Sequence, residues 1–293
     1  MEQTGRMKNS FDKENFEWWE LEGKTHGEIL EKFRSECERR PWCQYFLDDH
    51  PLYPGNLNSK CRIGYVPFNN CLQDRFYYID KSRSPEMIAA GGFVTQIFWD
   101  YDLHNLPDGW QGVVRQSFND TMAGKTPNTL VALLVFTPNR YRGKGLARLV
   151  LTKMCTHAKS KGYRYLLVPA LPPSQFERDK VELSMEEISK IKRSDGSYYD
   201  FWLRLHSQKG AEIIGFCETS HRFVLNLKDY NQYVSSTRIE STGDHIVNFD
   251  NDKMLGINSR NMWEKIYADI KRDFVTFNWG CVWMRYAIDE LDL

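Results

Sequence analysis

The sequence has no excess charge of either sign, no long apolar run and no signal-peptide core. Its 293 residues include 39 Lys plus Arg and 39 Asp plus Glu, so no overall field attracts nucleic acid or an anionic membrane. No run approaches the ~20 apolar residues of a spanning helix, and residues 1–13 contain no apolar core. We therefore expect no nucleic-acid partner and no membrane partner.

The sequence also gives little support for disulfide bonds or for a metal site. The seven cysteines are odd in number and include no Cys-x-x-Cys pair, which is typical of reduced thiols in a cytosol. Asp100, Asp102 and His104 alternate, but they have no clear fourth partner, and a zinc site usually takes more His or Cys donors. We expect a solvated loop there, no metal, and a cytoplasmic protein.

What stands out is a short Gly-rich turn between two apolar segments. Residues 129–137 and 163–171 have the length and branched composition of buried strands. The helix predicted between them is amphipathic, with apolar residues recurring at Leu146, Leu149, Val150, Met154 and Ala158. The order is therefore strand, Gly-rich turn, helix, strand.

The turn has the chemistry of a phosphate site. Gly143 and Gly145 let the backbone turn tightly and direct several N–H groups to one point at the positive end of a helix. The sequence adds cationic side chains at Arg140, Arg142, Lys144 and Arg148. Neither G-x-G-x-x-G nor G-x-x-x-x-G-K-[ST] is present, which excludes those two kinds of nucleotide loop. The alternative is a surface turn whose basic residues are merely solvated.

The Arg-x-x-Gly-x-Gly pattern of this turn resembles the acetyl-CoA pyrophosphate loop of the GNAT acyltransferase superfamily. Residues Phe201 to Gly210, followed by a strand, are similar to the second GNAT signature, in which a Tyr stands four residues before a Gly. His206 occupies that position here. The resemblance implies a mixed α/β GNAT fold with acetyl-CoA or another acyl-CoA as co-substrate. The implied CoA-binding residues are Phe136, Thr137, Arg140, Tyr141, Arg142, Gly143, Lys144, Gly145 and Leu146.

Further segments resemble a bacterial GNAT branch that includes the domains that start polyketide chains. They are Leu106 to Trp110, Asp195 to Gly196 with Asp200 to His206, and Val282 to Arg285. Over about residues 86–293, this resemblance implies an acyl-CoA decarboxylase or S-acyltransferase that passes the acyl group to a carrier-protein thiol. That branch carries Pro-x-Arg-Pro-Thr-x-Lys after the strand. Here Pro169 to Gln175 lacks the Arg and Lys, a departure that bears on decarboxylation more than on CoA binding.

Four residues are candidates for the chemistry. His206 is expected to move a proton, because a neutral imidazole accepts or delivers one near neutral pH; the alternative is a helix-face histidine bonded to backbone. Ser174, which matches the branch's Thr after a shift of one residue, is either an oxyanion donor or a turn residue after two prolines. Arg222 is either a partner for an acyl carboxylate or a strand-surface arginine, and Trp202 is expected beside the acyl group.

The two core strands carry no obvious general base for an amine acceptor. Residues 129–137 contain no ionisable side chain, and residues 163–171 contain Arg164 and two tyrosines. A thiol needs less help, since its pKa lies near ~8.5. We therefore expect transfer of a small acyl group, acetyl or one derived from malonyl by decarboxylation, to the thiol of an acyl carrier protein. The alternatives are an N-acetyltransferase of a small amine and a non-catalytic acyl-CoA-binding module.

The expected organisation is an N-terminal helical extension over residues 1–47, containing a helix at 26–46, followed by a GNAT-like acyltransferase domain over residues 48–293. The patterns predict further strands at 75–79, 88–99, 211–217, 221–227 and 281–288. They predict further helices at 111–122, 186–192, 201–209 and 262–274.

Overall fold

The computed structural model describes residues 16–25, 28, 31–32, 72–83, 86–249 and 262–291. Nine strands lie in these ranges: β1 (Phe16–Lys24), β2 (Gln73–Asp80), β3 (Met87–Ile97), β4 (Thr129–Phe136), β5 (Tyr165–Ala170), β6 (Glu212–Leu225), β7 (Gly243–Phe249), β8 (Met262–Asp269) and β9 (Phe274–Ala287). The α-helices are α1 (Gly109–Met122), α2 (Leu146–Ser160), α3 (Met185–Lys190), α4 (Phe201–Ser207) and α5 (Leu227–Tyr233).

All nine strands belong to one sheet. Its order is β1-β2-β3-β4-β5-β9-β8-β7, and β6 pairs with β9. The β4–β5 pair is parallel and the other pairs are antiparallel. This confirms the mixed α/β fold class, including the predicted order of strand, turn, helix and strand from β4 to β5.

Helices cover the central sheet on opposite faces. On β2, Phe76 and Tyr78 belong to the core under α2, whereas Tyr77 and Ile79 belong to the core under α1, as expected for alternating residues of a strand. The helix α2 lies so close to β3 that a Cβ at Gly92 would be 2.3 Å from the Met154 methyl group. That close packing fixes α2, and with it the loop at its N-terminus, against the sheet.

Residues 262–274, predicted as a helix, form β8 and the turn into β9, so that prediction was wrong. Burial alternates along β8, with Met262, Glu264, Ile266 and Ala268 buried and the residues between them more exposed. Met, Glu, Lys and Ala favour helix locally, but pairing with β7 and β9 decides the structure in favour of a strand. The two strands predicted at 211–217 and 221–227 are instead the single irregular strand β6.

The predicted helical extension needs a correction as well. Residues 16–24 form β1, which pairs antiparallel with β2 and buries Trp19 against Tyr77. After this strand, the Thr25 hydroxyl and the Glu28 carboxylate each accept a hydrogen bond from the other residue's backbone N–H. This reciprocal cap starts a helix where one was predicted. The rest of residues 26–46 and the predicted boundary at 47 lie almost wholly outside the described residues.

Among the helices of the described ranges, none combines the length and apolar content needed to cross a membrane.

Candidate functional site

The loop between β4 and α2 has the backbone of an anion site. Gly143 and Gly145 adopt φ angles of 76° and 75°, which L-residues with a side chain rarely adopt. The first backbone hydrogen bond of α2 runs from Leu149 N–H to the Gly145 carbonyl, at 3.3 Å. The N–H groups of the three preceding helical residues therefore have no carbonyl within the helix to bond and point to the loop. An anion bound there would meet several N–H groups at the positive end of the helix.

Tyr141 fastens this loop to the sheet. Its side chain is buried, and its hydroxyl donates a hydrogen bond of 2.8 Å to the Asp80 carboxylate at the end of β2. Burial and this neighbouring carboxylate raise the pKa of Tyr141 to about 12, so the phenol stays a neutral donor. The sequence prediction placed Tyr141 among the CoA-binding residues. In the structure its hydroxyl is hydrogen-bonded to Asp80, and the buried side chain anchors the loop to β2.

Four cationic side chains surround the loop as predicted. Arg148 donates a 3.2 Å hydrogen bond to Gln208, and Arg142 approaches the Thr137 carbonyl at 3.4 Å. Arg140 contacts the Met87 sulfur at 2.8 Å. Among the described residues, no carboxylate forms an ion pair with any of these three arginines. Lys144 lies 5.4 Å from the centre of the Tyr141 ring. Within the described part of the chain, the charges of these three arginines are therefore not neutralised by ion pairs with acids.

Next to the loop, the parallel strands β4 and β5 separate. Their pairs run from Thr129↔Tyr165 to Val131↔Leu167, and the later residues of these two fully described strands have no partner across this gap. The indole N–H of Trp110 donates instead to the Leu133 carbonyl, at 2.9 Å. The separation opens at the carboxyl ends of two parallel strands, where ligands of open α/β sheets commonly bind.

Phe136 and Thr137 lie where β4 runs into the loop. The Phe136 ring packs 6.2 Å from Phe93 and occupies the space that a side chain at Gly91 would fill. The Thr137 hydroxyl is buried and has no hydrogen-bond partner among the described residues. An unpaired buried hydroxyl is costly, and a polar ligand in the adjacent gap would satisfy it.

His206 faces inward on α4, as its position on the helix predicted. It is 3% exposed, and its Nδ1 lies 2.8 Å from the Tyr286 hydroxyl. Burial, with a smaller contribution from Lys209, lowers the pKa of His206 to about 4, so the imidazole is neutral at pH 7. Trp202, one turn earlier, is half-buried with its ring 5.9 Å from the imidazole. The structure therefore brings these two candidates together.

Ser174 does not have a free hydroxyl. Its Oγ and its backbone N–H both donate to Asp200 Oδ2, at 2.8 and 3.0 Å. The other carboxylate oxygen of Asp200 caps α4 by accepting from the N–H groups of Trp202 and Leu203. The predicted oxyanion role is therefore replaced by a structural one, because the hydroxyl hydrogen already fixes the start of the helix that carries His206.

Arg222 lies exposed on β6, where its backbone N–H and carbonyl bond the side chain of Gln111. This placement fits the strand-surface alternative. Among the described residues, no group of three or more His, Cys, Asp or Glu side chains is arranged to hold a metal ion.

Sequence reasoning missed a second histidine near the gap between β4 and β5. The His221 ring stacks on Trp110, with centroids 5.2 Å apart, and its buried Nδ1 has no hydrogen-bond partner in the described ranges. Phe223 and Trp279 pack against the same ring. Burial lowers the pKa of His221 to about 4. No local motif marks this residue, since its environment comes from α1 and β9, far away in the chain.

No protein-family model matches the chain, and a search of curated proteins finds no match either. Solved structures that resemble it include GNAT-like domains and N-acetyltransferases. The loading GNATL domain of CurA from Lyngbya majuscula is 13% identical, with a TM-score of 0.43, over 93% of this chain and 98% of that one. The GphF GNAT-like decarboxylase in complex with isobutyryl-CoA is 12% identical, with a TM-score of 0.38, over 92% of this chain and 99% of that one.

Arabidopsis thaliana NAA60 in complex with acetyl-CoA is 9% identical, with a TM-score of 0.38, and covers 94% of this chain and 99% of its own. At these identities and TM-scores the likeness is too weak to carry a function across. The function proposed below therefore rests on the geometry of this chain.

Proposed function

We propose that this protein is an acyl-CoA-dependent acyltransferase that binds the pyrophosphate of CoA on the loop from Arg142 to Leu146. The observation that carries the proposal is the pair of positive-φ glycines that lead unpaired N–H groups into α2. Three arginines that form no ion pair with a carboxylate among the described residues lie in or next to this loop. A doubly charged pyrophosphate would satisfy both the N–H groups and the arginines.

The rest of CoA would then extend from the loop into the gap between β4 and β5. The pantetheine arm carries amide groups, which need partners when they leave water. Residues of β4 and β5 beyond Val131 and Leu167 are not paired with each other, and no described residue forms a hydrogen bond with the Thr137 hydroxyl. This opening offers hydrogen bonds to the arm and directs the thioester toward the interior of the sheet.

A thiol acceptor suits this site best. Transfer forms a bond between the acceptor sulfur and the acyl carbon and breaks the bond between that carbon and the CoA sulfur, which leaves as a thiolate. The described strand β4 has no ionisable side chain to deprotonate an ammonium group, whereas a thiol with a pKa near ~8.5 ionises more readily. A carrier-protein thiol, charged with acetyl or with an acyl group obtained by decarboxylation of malonyl, is the acceptor we propose.

His206 would stabilise the departing thiolate. Nδ1 lies within hydrogen-bond distance of the Tyr286 hydroxyl. In the tautomer in which Nδ1 accepts this bond, the imidazole carries its hydrogen on Nε2, and this N–H can donate a hydrogen bond to the CoA thiolate as the thioester breaks. Trp202 would lie beside the acyl group. Tyr286 orients the ring, so it acts as a positioning residue.

The proposed function is tested by incubating the protein with acetyl-CoA and with malonyl-CoA. Each reaction receives a pantetheine thiol, a phosphopantetheinylated carrier protein or a primary amine, and products are identified by mass spectrometry. We expect a new thioester on the thiol acceptors and release of free CoA. Loss of CO2 from malonyl-CoA would establish decarboxylation, and a new amide on the amine would identify an N-acyltransferase. Tight CoA binding without turnover would indicate a binding module, and absence of CoA binding would overturn the proposal.

A further inference from the structure

A cavity lies beside the middle of β9, lined by residues of β6, β7 and β8 and of the segment 175–185. Along one edge of β9, β6 pairs from Val275 to Arg285, so β8 and β5 share the other edge. There β8 pairs with residues 274–276 and β5 with residues 282–287. Between these two sets of pairs the sheet has a gap, and part of the gap is a cavity of about 300 Å³.

The Gln175 side chain replaces a strand in part of this gap. It accepts the Gly280 N–H at 3.0 Å and donates to the Gly280 carbonyl at 3.4 Å. Gln175 is itself buried and held by the Pro172 carbonyl. The backbone of Gly280 at the edge of the cavity is therefore hydrogen-bonded and held in place.

Glu264 supplies the inner polar wall of the cavity. It is 7% exposed, and its Oε1 accepts the Lys265 backbone N–H at 3.0 Å. Among the described residues, no donor forms a hydrogen bond with its Oε2. The indole N–H of Trp279 lies close enough to the same carboxyl group to favour its ionised form, but it does not reach normal hydrogen-bond geometry with this or any other described residue. A carboxyl group this deeply buried with an unused oxygen is costly unless a ligand completes its bonds.

The remaining charged groups at the cavity make its rim acidic. Glu218, from β6, accepts the Met185 N–H at 2.9 Å. Asp244, from β7, pairs with Lys265 of β8 at 3.1 Å, so these two charges offset each other. Tyr267 adds a phenol on β8. Since the Glu218 charge has no cationic partner among the described residues, the rim is net negative and attracts cations.

The walls also set the size and kind of the ligand. Leu183, Met185 and Phe277 provide apolar surface for a short carbon chain. A volume of about 300 Å³ is at the small end of ligand pockets. A divalent metal needs several preformed oxygen ligands, and no such group occurs in the described part of the chain. A primary ammonium group needs fewer contacts, because it donates three hydrogen bonds and carries one charge.

We propose that this cavity binds a small ligand with a primary ammonium group on a short aliphatic chain, and that Glu264 is its counter-ion. The ammonium group bonds the free Oε2 of Glu264, and the carbon chain lies on the apolar wall. The proposal is independent of CoA binding, because it uses none of the residues of the β4–α2 loop.

Binding should be coupled to release of a proton. Burial raises the pKa of Glu264 to about 8, so this group is mostly protonated at pH 7 in the empty protein. An ammonium ligand favours the ionised carboxylate, which must lose its proton. Affinity should therefore increase as the pH rises from 6 to 8, and close to one proton should leave per ligand bound at pH 7.

Calorimetry of the full chain with n-butylamine tests the proposal, with n-butanol as a neutral probe of the same size. Titrations in two buffers of different ionisation enthalpy at pH 7 give the number of protons released. We expect butylamine to bind with release of about one proton and butanol to bind at least tenfold more weakly. Glu264→Gln should lose at least tenfold in butylamine affinity, whereas Glu186→Gln, which changes an exposed acid on α3, should lose none.

Three results would each overturn the proposal. They are equal affinities for butylamine and butanol, no detectable binding of butylamine at about 10 mM, and an unchanged butylamine affinity in Glu264→Gln. If Glu264→Gln fails to fold, the proton count and the amine–alcohol comparison on the unmodified protein decide. CoA titrations run in parallel separate the two sites, because Glu264→Gln should leave the affinity for CoA unchanged.

Discussion

At Gly143 a side chain would find open space but an unfavourable backbone. No atom of the described residues lies within 4 Å of a Cβ built there, yet φ is 76°. Gly143→Val should therefore shift the backbone and misdirect the N–H groups of the loop. We expect CoA binding to weaken tenfold or more, about 1.4 kcal/mol, with the fold intact. Isothermal titration with CoA measures this.

Gly124→Val is the matched control for that substitution. Gly124 has a φ of 65° and equally open surroundings, but it follows α1. Both variants carry similar backbone strain, so only Gly143→Val should lose CoA affinity. Equal losses in the two variants would contradict the phosphate-loop assignment.

His206→Ala should cut turnover by roughly 10²–10⁴-fold with little change in CoA affinity, because the hydrogen bond to the thiolate forms mainly in the transition state. His206→Tyr should retain part of the transfer activity, since a phenol can also donate to sulfur. The control is His245→Ala, whose ring forms a hydrogen bond with the nearby Ser241 carbonyl and lies on β7, away from α4 in the sequence. Full activity of His206→Ala on acetyl-CoA and malonyl-CoA would show that His206 is structural.

The same histidine should make stability depend on pH. The pKa of His206 falls from 6.5 to about 4 on folding, so between these values the unfolded chain binds more protons than the folded one. The contribution of His206 to the free energy of unfolding is therefore fully present above pH 6.5. It falls by about 3 kcal/mol as the pH decreases toward 4. Urea unfolding of wild type and His206→Gln at pH 7.5 and pH 4 should show a smaller loss in the variant; equal losses would contradict the assignment.

At the scale of elements, a buried pair joins three of them. Asp74 on β2 lies 2.8 Å from His157 on α2 and also accepts the Gly23 N–H at the end of β1. Burial alone would raise the pKa of Asp74, but the hydrogen bonds from His157 and Gly23 lower it below its usual value. Asp74→Ala should reduce the free energy of unfolding by about 3–5 kcal/mol, since it leaves buried partners unpaired.

Glu20→Ala is the control for this prediction. Glu20 pairs with Lys153 and so links β1 to α2 as well, but this pair is partly exposed. Its loss should cost about 0–1 kcal/mol. Urea denaturation of both variants measures the difference, and similar losses would show that the buried pair is not special.

How far the sequence predicts these elements depends on whether the signal is local. The segment from β4 to β5 was predictable because its periodicity, glycines and charges lie within about 40 consecutive residues. The strand β8 was not predictable, because the alternation of buried and exposed residues along it depends on pairing with β7 and β9. The Ser174 hydroxyl is engaged by Asp200, and the His221 ring stacks on Trp110. These contacts join residues that are far apart in the sequence, so no local spacing predicts them.

At the scale of the molecule, β1 makes the N-terminal region part of the sheet. A chain beginning at residue 26 loses β1, which exposes the edge of β2 and removes Trp19 from Tyr77. We expect the free energy of unfolding to fall by about 3 kcal/mol or more and the chain to associate through the bare edge. Urea unfolding and size-exclusion chromatography measure these effects. A chain beginning at residue 16 is the control, and equal behaviour of the two would show that β1 contributes little.

The place of β9 has a consequence for how the protein is made. β5 ends at Ala170, but its neighbour β9 begins only at Phe274. At roughly 5–20 residues per second, a ribosome needs on the order of 5–20 s to deliver β9 after β5 has emerged. During that interval β5 and β6 both lack the strand that joins them. The sheet therefore closes in one late step, and the nascent chain carries two bare edges until β9 arrives.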